Sequence, residues 1–487
     1  MLTQRNFSLL PCTKPSVMLI ESKGPQSSPG RCTRRPKVVK KGSPGSRVVA
    51  YVAQEVNKDA LCTVVETSSL PKLKQTEAVV LQGFGWESHR GSNGKSWWAV
   101  LKDKVPDIQA AGFTHVWLPP PSQSVSAQGY LPGQLYNLKS RYGGKEDLIE
   151  LNKALIVAGI RPVADVVINH RCADEQDENG QWTHYRDDVD HYGRHIDWGK
   201  WAITCNDPDF QGEGNPDSGE DYGAAPDLDH MNEELRNSLV DWMLWLRDVV
   251  GFQGWRFDFV RGYAAKYTAE YIERTFGDGD ALCVGENFVD LRWNDGQLDY
   301  NQDHAVHVLR DWIQQAKHCM AFDFPTKGIV QEAVKHTEYD RLRGSQGKGP
   351  GLMGSWPAMA MTFVDNHDTG STQKHWPWPS DYVLLGYAYI LTHPGVPTVF
   401  YEHMYDWGHE HHDKIAQLVA LRKRCGITAD AKLEILAADK DLYVATINNR
   451  VMVKLGPRMD MGAHVPNDKE WKIVTWGKDF AVWERKN

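Results

Sequence analysis

At 487 residues the chain is too long for one ordinary compact core, so two or three domains are expected, one of them large enough to be a barrel. Its charged fraction of 24%, hydrophobic fraction of 41% and net charge of -8 are those of a soluble protein and speak against a nucleic-acid binder, which carries a basic domain. No apolar run approaches the roughly 20 residues of a membrane span, so no membrane partner is expected.

The chain opens on a biased stretch. Residues 1–53 hold one acidic side chain, Glu21, while Arg31, Arg34, Arg35, Lys37, Lys40, Lys41 and Arg47 stand among Ser, Pro and Gly. This is the composition of an organelle transit peptide, without the apolar core of a secretory signal. The alternative is a disordered basic tail that carries no address.

From about Ala78 a unit recurs. Ser96 is placed to cap a helix bearing Trp97, Trp98, Leu101, Val105 and Ile108, which stops at Gly112 before a strand over 114–118. Leu148, Leu151 and Leu155 mark a second helix, ended by Gly159 and followed by a strand over 161–168. A third helix runs from Leu235 through Leu246, stops at Gly251, and enters Gly254-Trp255-Arg256-Phe257-Asp258.

Further strands are expected at 79–82, 281–284, 320–324, 361–364 and 396–400. Eight strands separated by helical lengths of chain predict an α/β fold, a TIM (β/α)8 barrel. The competitor, a doubly wound open sheet, lacks a glycine-rich phosphate fingerprint after its first strand.

Between the third strand and the helix near Glu233 lies an insertion rich in Asp, Gly, Asn and His, too long for a loop and too polar for a core. After Cys425, alternating runs at 441–447, 451–455, 471–474 and 480–483 read as a small antiparallel sheet. The 8 cysteines are scattered without CxxC spacing, which suggests neither a zinc site nor a disulfide framework and fits a reducing compartment. His409-Glu410-His411-His412 lacks HExxH spacing, and His375-Trp376-Pro377-Trp378 is aromatic enough for ligand contact, with ordinary loop packing at least as good a reading.

In a strand, residues two apart share a face, so Arg256 and Asp258 project together while Trp255, Phe257 and Phe259 face away. Alone, the pair reads equally as a register-fixing ion pair or as a carboxylate held ionised for chemistry. The other strand ends decide. One ends in Asn169-His170 with Asp165 inside it, another in Gly285-Glu286-Asn287, and the seventh in Asp365-Asn366-His367-Asp368.

Barrel active sites sit at the C-terminal strand ends, so three carboxylates, two histidines and an arginine are expected at one mouth. With 19 Trp and 18 Tyr available to stack on sugar faces, that cluster suggests glycosidic bond cleavage by paired carboxyls. Arg256 is suited to keep Asp258 ionised, and the remaining acids to keep Glu286 protonated.

These residues resemble a known family. Asp165-Val-Val-Ile-Asn-His170, Gly254-Trp-Arg-Phe-Asp258, Gly285-Glu286-Asn287 and Phe363-Val-Asp-Asn-His-Asp368 are similar to the four short motifs of the alpha-amylase family of glycoside hydrolases. Gln82-Gly-Phe-Gly-Trp-Glu87, Trp117-Leu-Pro-Pro120, Gly129-Tyr-Leu-Pro132 and Tyr387-Ala-Tyr-Ile-Leu-Thr-His-Pro-Gly395 resemble its plant-type branch.

The resemblance implies retaining endohydrolysis of alpha-1,4-glucosidic bonds in starch or soluble alpha-glucans, with Asp258 the nucleophile, Glu286 the acid/base and Asp368 the third carboxylate. It implies that Trp86, Tyr130, Asp165, His170, Arg256 and His367 bind substrate. A non-catalytic glucan-binding protein and a glucan transferase are the alternatives on the same fold.

The resemblance also implies that the acidic insertion holds Ca2+, a cation that takes six to eight oxygen ligands. Asn169, Asp217, Asp227 and the carbonyls of Gly262 and Glu220 match one site; Asp207, Asp221, Asp227 and the carbonyls of Tyr222 and Ala225 match a second. Residues 174–192 depart from the secreted cereal members, and Gly354-Ser355-Trp356 lacks a tryptophan pair found in some relatives.

The expected layout is an N-terminal extension, 1–75; the barrel, 76–168 and 231–424; a calcium-binding insertion after strand 3, 169–230; and a C-terminal antiparallel β-sheet domain, 425–487. A monomer in the plastid is expected, with the cytoplasm as the alternative location.

Overall fold

The computed structural model describes residue 70 and residues 73–278, 281–344 and 347–486. The transit-peptide reading falls on residues 1–53, outside that set.

Eight short strands form the wall: β1 (Val80–Gln82), β2 (His115–Leu118), β3 (Arg161–Val166), β4 (Gly254–Phe257), β5 (Leu282–Gly285), β6 (Met320–Phe322), β7 (Ala360–Phe363) and β8 (Val396–Phe400). Each pairs in parallel with its neighbour in sequence, and β8 returns to β1, so the sheet closes. The expected barrel is therefore present.

The helices form where their signals place them. Ser96 Oγ accepts the Ala99 N–H at 3.3 Å to open α1 (Trp97–Ala111), and Gly112, at φ 99°, ends it. Trp97, Trp98, Leu101, Val105 and Ile108 are all buried, one apolar stripe against the wall. After α2 (Lys145–Val157), Asn232 Oδ1 caps α3 (Glu233–Trp245) by accepting the Glu234 N–H at 2.9 Å. Beyond Trp245 the chain widens into a π turn, Leu246–Val250, before Gly251 at φ 94°. The sequence reading ran straight through that turn.

Strand ends differ modestly from the reading. β3 stops at Val166 rather than 168, and β6 stops at Phe322 because Asp323 leaves the wall to cap α6 (Phe324–His336), accepting the Thr326 N–H at 2.9 Å. The remaining helices of the ring are α4 (Ala265–Phe276), α5 (Asp303–Ala316), α7 (Val383–Thr392) and α8 (His409–Arg424).

The chain ends in an antiparallel sheet: β9 (Leu433–Ala438), β10 (Tyr443–Ile447), β11 (Val451–Leu455), β12 (Trp471–Gly477) and β13 (Phe480–Arg485), in the order β9-β10-β11-β13-β12. The first of these was not read from sequence. The sheet docks on the barrel through Arg424 and Glu484, 3.0 Å apart, and through His393 Nε2 and the Tyr443 hydroxyl, 2.8 Å apart.

Between β3 and α3 regular structure is sparse, limited to the paired strands Glu175–Gln176 and Trp182–His184 and short turns. An organic cation pins this stretch. Arg171 Nη2 lies 2.9 Å from Asp188 Oδ2, both side chains buried, and its guanidinium lies 4.8 Å and 4.6 Å from the Tyr185 and Trp198 ring centroids. Asp188 also accepts the N–H groups of Leu135 and Tyr136 at 2.6 and 3.2 Å. No helix among the described residues is long and apolar enough to cross a membrane.

Candidate active site

Parallel pairing sets the level at which each acid leaves the wall. Arg256 stands opposite Asp165 on β3 and Val284 on β5, and Phe257 stands opposite Gly285. The next residues, Asp258 and Glu286, emerge together at the C-terminal rim: Asp258 N–H donates to the Val166 carbonyl at 3.1 Å and Glu286 N–H to the Phe257 carbonyl at 2.9 Å. Alternation sends Trp255 outward, where Nε1–H donates to Thr275 Oγ1 on α4 at 3.0 Å, and Arg256 inward.

The Arg256 guanidinium ties three acids together. Nη1 donates to Asp165 Oδ1 at 2.8 Å and to Asp258 Oδ1 at 2.6 Å, and Nη2 lies 2.9 Å from Glu286 Oε2. Arg256 is 1% exposed, so these contacts operate with little solvent screening. The pair singled out in the sequence is thus one corner of a larger constellation, which register alone does not need.

An aromatic wall flanks it. Tyr130 and His367 lie 5.2 Å apart and 5° from parallel, and Trp86 lies 6.2 Å from Tyr130 at 6°. The Tyr130 hydroxyl donates to Asp165 Oδ2 at 3.0 Å. His170 Nε2–H donates to the Tyr130 carbonyl at 2.9 Å. With Gln82 Nε2 donating to His367 Nδ1 at 3.0 Å, the imidazole carries its proton on Nε2, 3.3 Å from Asp368 Oδ2. Asn366 Oδ1 accepts the Asp368 N–H at 3.0 Å and sets the turn that presents this third acid.

Burial and charge separate the carboxyls. Burial pushes Glu286 up to about 8 against the pull of Arg256, aided by Asp258 and Asp368 nearby. Burial also raises Asp258 and Asp165, each to about 6, with Arg256 as the main opposing influence. Near neutral pH this leaves an ionised Asp258 beside a protonated Glu286. Burial holds His170 and His367 down at about 4, as neutral hydrogen-bonding rings.

Four contributors escaped the sequence reading. Gln82 fixes the His367 tautomer, and Trp117 Nε1–H donates to Asp165 Oδ2 at 3.1 Å. Both lie inside quoted motifs, where their chemistry was the available signal. Phe259 adopts φ 42°, ψ 54°, a left-handed conformation uncommon for a bulky residue, and its N–H donates to Glu286 Oε2 at 3.2 Å. Tyr222 was assigned only through its carbonyl, yet its ring stacks on His170.

The acidic insertion gathers part of the expected ligand set. Asp207, Asp221 and Asp227 bring carboxylate oxygens within 4.8 Å of one another. Burial raises Asp227 to about 8, with Asp207, Asp217 and Asp221 adding to the rise, so the cluster lacks compensating positive charge. Asn169 Nδ2 donates to Asp227 Oδ1 at 2.9 Å, while Asn169 Oδ1 is buried without a donor. A Cβ on Gly262 would fall 2.0 Å from that oxygen, so only glycine lets its backbone come so close.

Glu220, expected to contribute its carbonyl, has its carboxylate 2.6 Å from Arg261 Nη2, and the Tyr222 carbonyl accepts the Ala225 N–H at 3.4 Å. Asp217 stands outside the three-carboxylate group, accepting the Gly219 N–H at 3.2 Å. An orphaned amide oxygen beside uncompensated carboxylates fits a hard, oxygen-seeking cation. In the histidine run, His412 meets Asp107 and Asp413, each at 3.0 Å.

A barrel with three carboxyls around a buried arginine at its rim defines a glycoside hydrolase, and comparisons agree. Residues 87–339 match the alpha amylase catalytic domain and residues 424–484 the alpha-amylase C-terminal beta-sheet domain. The chain belongs to the alpha-amylase family.

It is 43% identical over 416 residues to "Probable alpha-amylase 2" of Arabidopsis thaliana, spanning 85% of this chain and 95% of that relative. It is 39% identical over 409 residues to "Alpha-amylase 3, chloroplastic" of the same plant, spanning 83% of this chain but 44% of that longer protein. A solved Anoxybacillus alpha-amylase shares the fold at TM-score 0.60 and 16% identity, covering 85% of this chain and all of its own, 100%.

Proposed function

We propose that the protein hydrolyses internal alpha-1,4-glucosidic bonds of starch and related soluble glucans with retention of anomeric configuration. The observation that carries this reading is the single guanidinium of Arg256 shared by Asp165, Asp258 and Glu286. It holds one acid as carboxylate within reach of another kept as carboxylic acid, the pairing that glycoside cleavage requires.

In the proposed sequence, a sugar ring packs against Tyr130 and Trp86, with His170, His367 and Asp165 around its hydroxyls. Asp258 attacks the anomeric carbon as Glu286 gives its proton to the glycosidic oxygen, which leaves with the bond's electrons. Water then attacks the glycosyl ester while the Glu286 carboxylate takes the water's proton, restoring both acids. Asp368 orients hydroxyls and balances positive charge at the anomeric carbon.

Ca2+ is the proposed resident ion, held by Asn169, Asp207, Asp217, Asp221, Asp227 and the carbonyls of Glu220, Tyr222, Ala225 and Gly262; its contribution is to order the insertion beside the cleft. The domain limits 1–75, 76–168 with 231–424, 169–230 and 425–487 are proposed with it. So are a monomeric state and a plastid location, the latter supported by the basic, acid-poor start of the chain and the chloroplastic relative. The test is the anomeric configuration of the first product from soluble starch, followed by NMR: an alpha product is expected, and a beta product would overturn the double-displacement assignment.

A further inference from the structure

Three neighbouring strands of the wall, β7, β8 and β1, send their outgoing connections to one point behind the aromatic wall of the cleft. The first supplies Ser371, the second Glu402 on the helical turn Tyr401–Tyr405, and the third Gly85 and Trp86. Trp86 N–H donates to Ser371 Oγ at 3.1 Å, and the Ser371 hydroxyl donates to Glu402 Oε1 at 2.5 Å. A serine hydroxyl has one proton to give, so spending it on the carboxylate leaves the oxygen's lone pairs for the Trp86 N–H. Glu402 thereby sets the sense of the bridge.

The surroundings are shaped to this bridge. A Cβ on Gly85 would fall 1.9 Å from Glu402 Oε1, so a larger residue there would push the carboxylate off the Ser371 hydroxyl. Ser371 adopts φ 51°, a left-handed conformation uncommon for a residue with a side chain, so its hydroxyl is presented at some backbone cost. Burial raises the Glu402 carboxyl, and the Ser371 hydrogen bond is the main influence pulling the other way. His89 Nδ1–H donates to the Trp86 carbonyl at 3.1 Å, so side chains hold both polar groups of the Trp86 backbone. One residue further along, Thr372 Oγ1 donates to Glu87 Oε1 at 3.1 Å, a second tie between the same two connections.

We propose that Ser371 and Glu402 are positioning residues for Trp86, a two-link relay that holds its indole parallel to Tyr130 and His367 and so sets the affinity of the cleft for a glucan. The Trp86 ring lies 6.1 Å from His367 at 10° and 6.2 Å from Tyr130 at 6°. A side chain pivots on its own backbone, so keeping three rings this nearly parallel requires the Trp86 peptide to stay in one orientation. Ser371 acts on that peptide directly and Glu402 acts through Ser371. A staple that merely held the rim together would matter whether or not the indole were present, whereas a relay to the indole loses its effect once the ring is gone. The inference rests on the proposed activity, because it takes the ring to face sugar.

The test is isothermal titration calorimetry of maltoheptaose on the full chain carrying Glu286→Gln, so that the ligand survives. Adding Ser371→Ala or Glu402→Ala is expected to raise the dissociation constant about threefold or more, and Glu402→Gln, which keeps an acceptor oxygen, to raise it less than about twofold. The two alanine changes together should weaken binding no more than the worse of them alone, as links of one relay do. With Trp86→Ala also present, Ser371→Ala should shift the dissociation constant by less than about 1.5-fold. A shift that persists at full size without the indole would overturn the inference, as would unchanged binding in both alanine variants or no maltoheptaose binding by the Glu286→Gln chain. Thermal melting identifies any variant that is simply unfolded; Ser371→Gly, which deletes the hydroxyl while relieving the left-handed backbone, then stands in for Ser371→Ala. Starch hydrolysis by the unmodified protein is scored separately: its absence would sink the proposed activity, while the binding titration still decides the relay.

Discussion

The rings of His170 and Tyr222 lie face to face, 3.7 Å between centroids and 7° from parallel, so a loop of the acidic insertion touches the catalytic wall directly. Tyr222 continues to Phe259 at 5.3 Å, and Phe259 N–H reaches Glu286. Tyr222→Ala is expected to lower kcat on maltoheptaose about 10- to 100-fold by displacing these groups, since misplacement of about 1 Å costs on that order. Tyr222→Phe keeps the stack and should stay within about twofold. Steady-state kinetics on both variants check this.

Removing the proposed proton donor isolates one role. Glu286→Gln should fold and bind glucan but lose about 10²–10⁴-fold or more in kcat, the range of general acid catalysis. A reducing-sugar assay on soluble starch, alongside thermal melting, reads the result.

The two rim acids set opposite limbs of the pH profile. The proposed mechanism needs Asp258 ionised, so activity is expected to fall as pH drops through about 6. The same mechanism needs Glu286 protonated, so activity is expected to fall as pH rises through about 8. A bell with its crest between these values is expected for kcat/KM on a short soluble maltooligosaccharide.

Arg256→Met should be far more damaging than a surface change. It strands Asp165, Asp258 and Glu286 without their cation, costing about 3–5 kcal/mol if the acids stay charged, or drawing protons onto them. Lower thermal stability and activity near the background rate are expected, both measurable on the purified variant.

Added Ca2+ should raise the melting temperature, and a chelator should lower it. At 100 times the dissociation constant, a ligand bound only by the folded state contributes about 2.7 kcal/mol. Asn169→Ala, which deletes the orphaned Oδ1, should blunt that response in differential scanning calorimetry, even without any activity measurement.

Much of the barrel was readable because its signals are local. Ser96, Gly112 and Gly251 mark helix ends by backbone geometry that only certain side chains satisfy. The rim acids were readable because each follows a buried strand. β9 was missed because its residues, Leu433–Ala438, are half-buried or exposed and carry a register shift between Ile435 and Ala437, which erases alternation. The Arg171–Asp188 pair and the Tyr222 stack join residues far apart in an irregular segment, where no periodicity links partners. Phe259 was read by strand alternation, but its left-handed turn breaks that rule.

Asp258 and Glu286 owe their nearness to adjacent strands held in parallel register, with Phe257 facing Gly285. A slip of one residue in β4 would exchange the proposed nucleophile for an aromatic ring, because neighbouring side chains lie on opposite faces. Lengthening a helix or an outer loop leaves that alignment intact. Evolution is therefore free to remodel the rim's outskirts, while the staves beneath admit no offset.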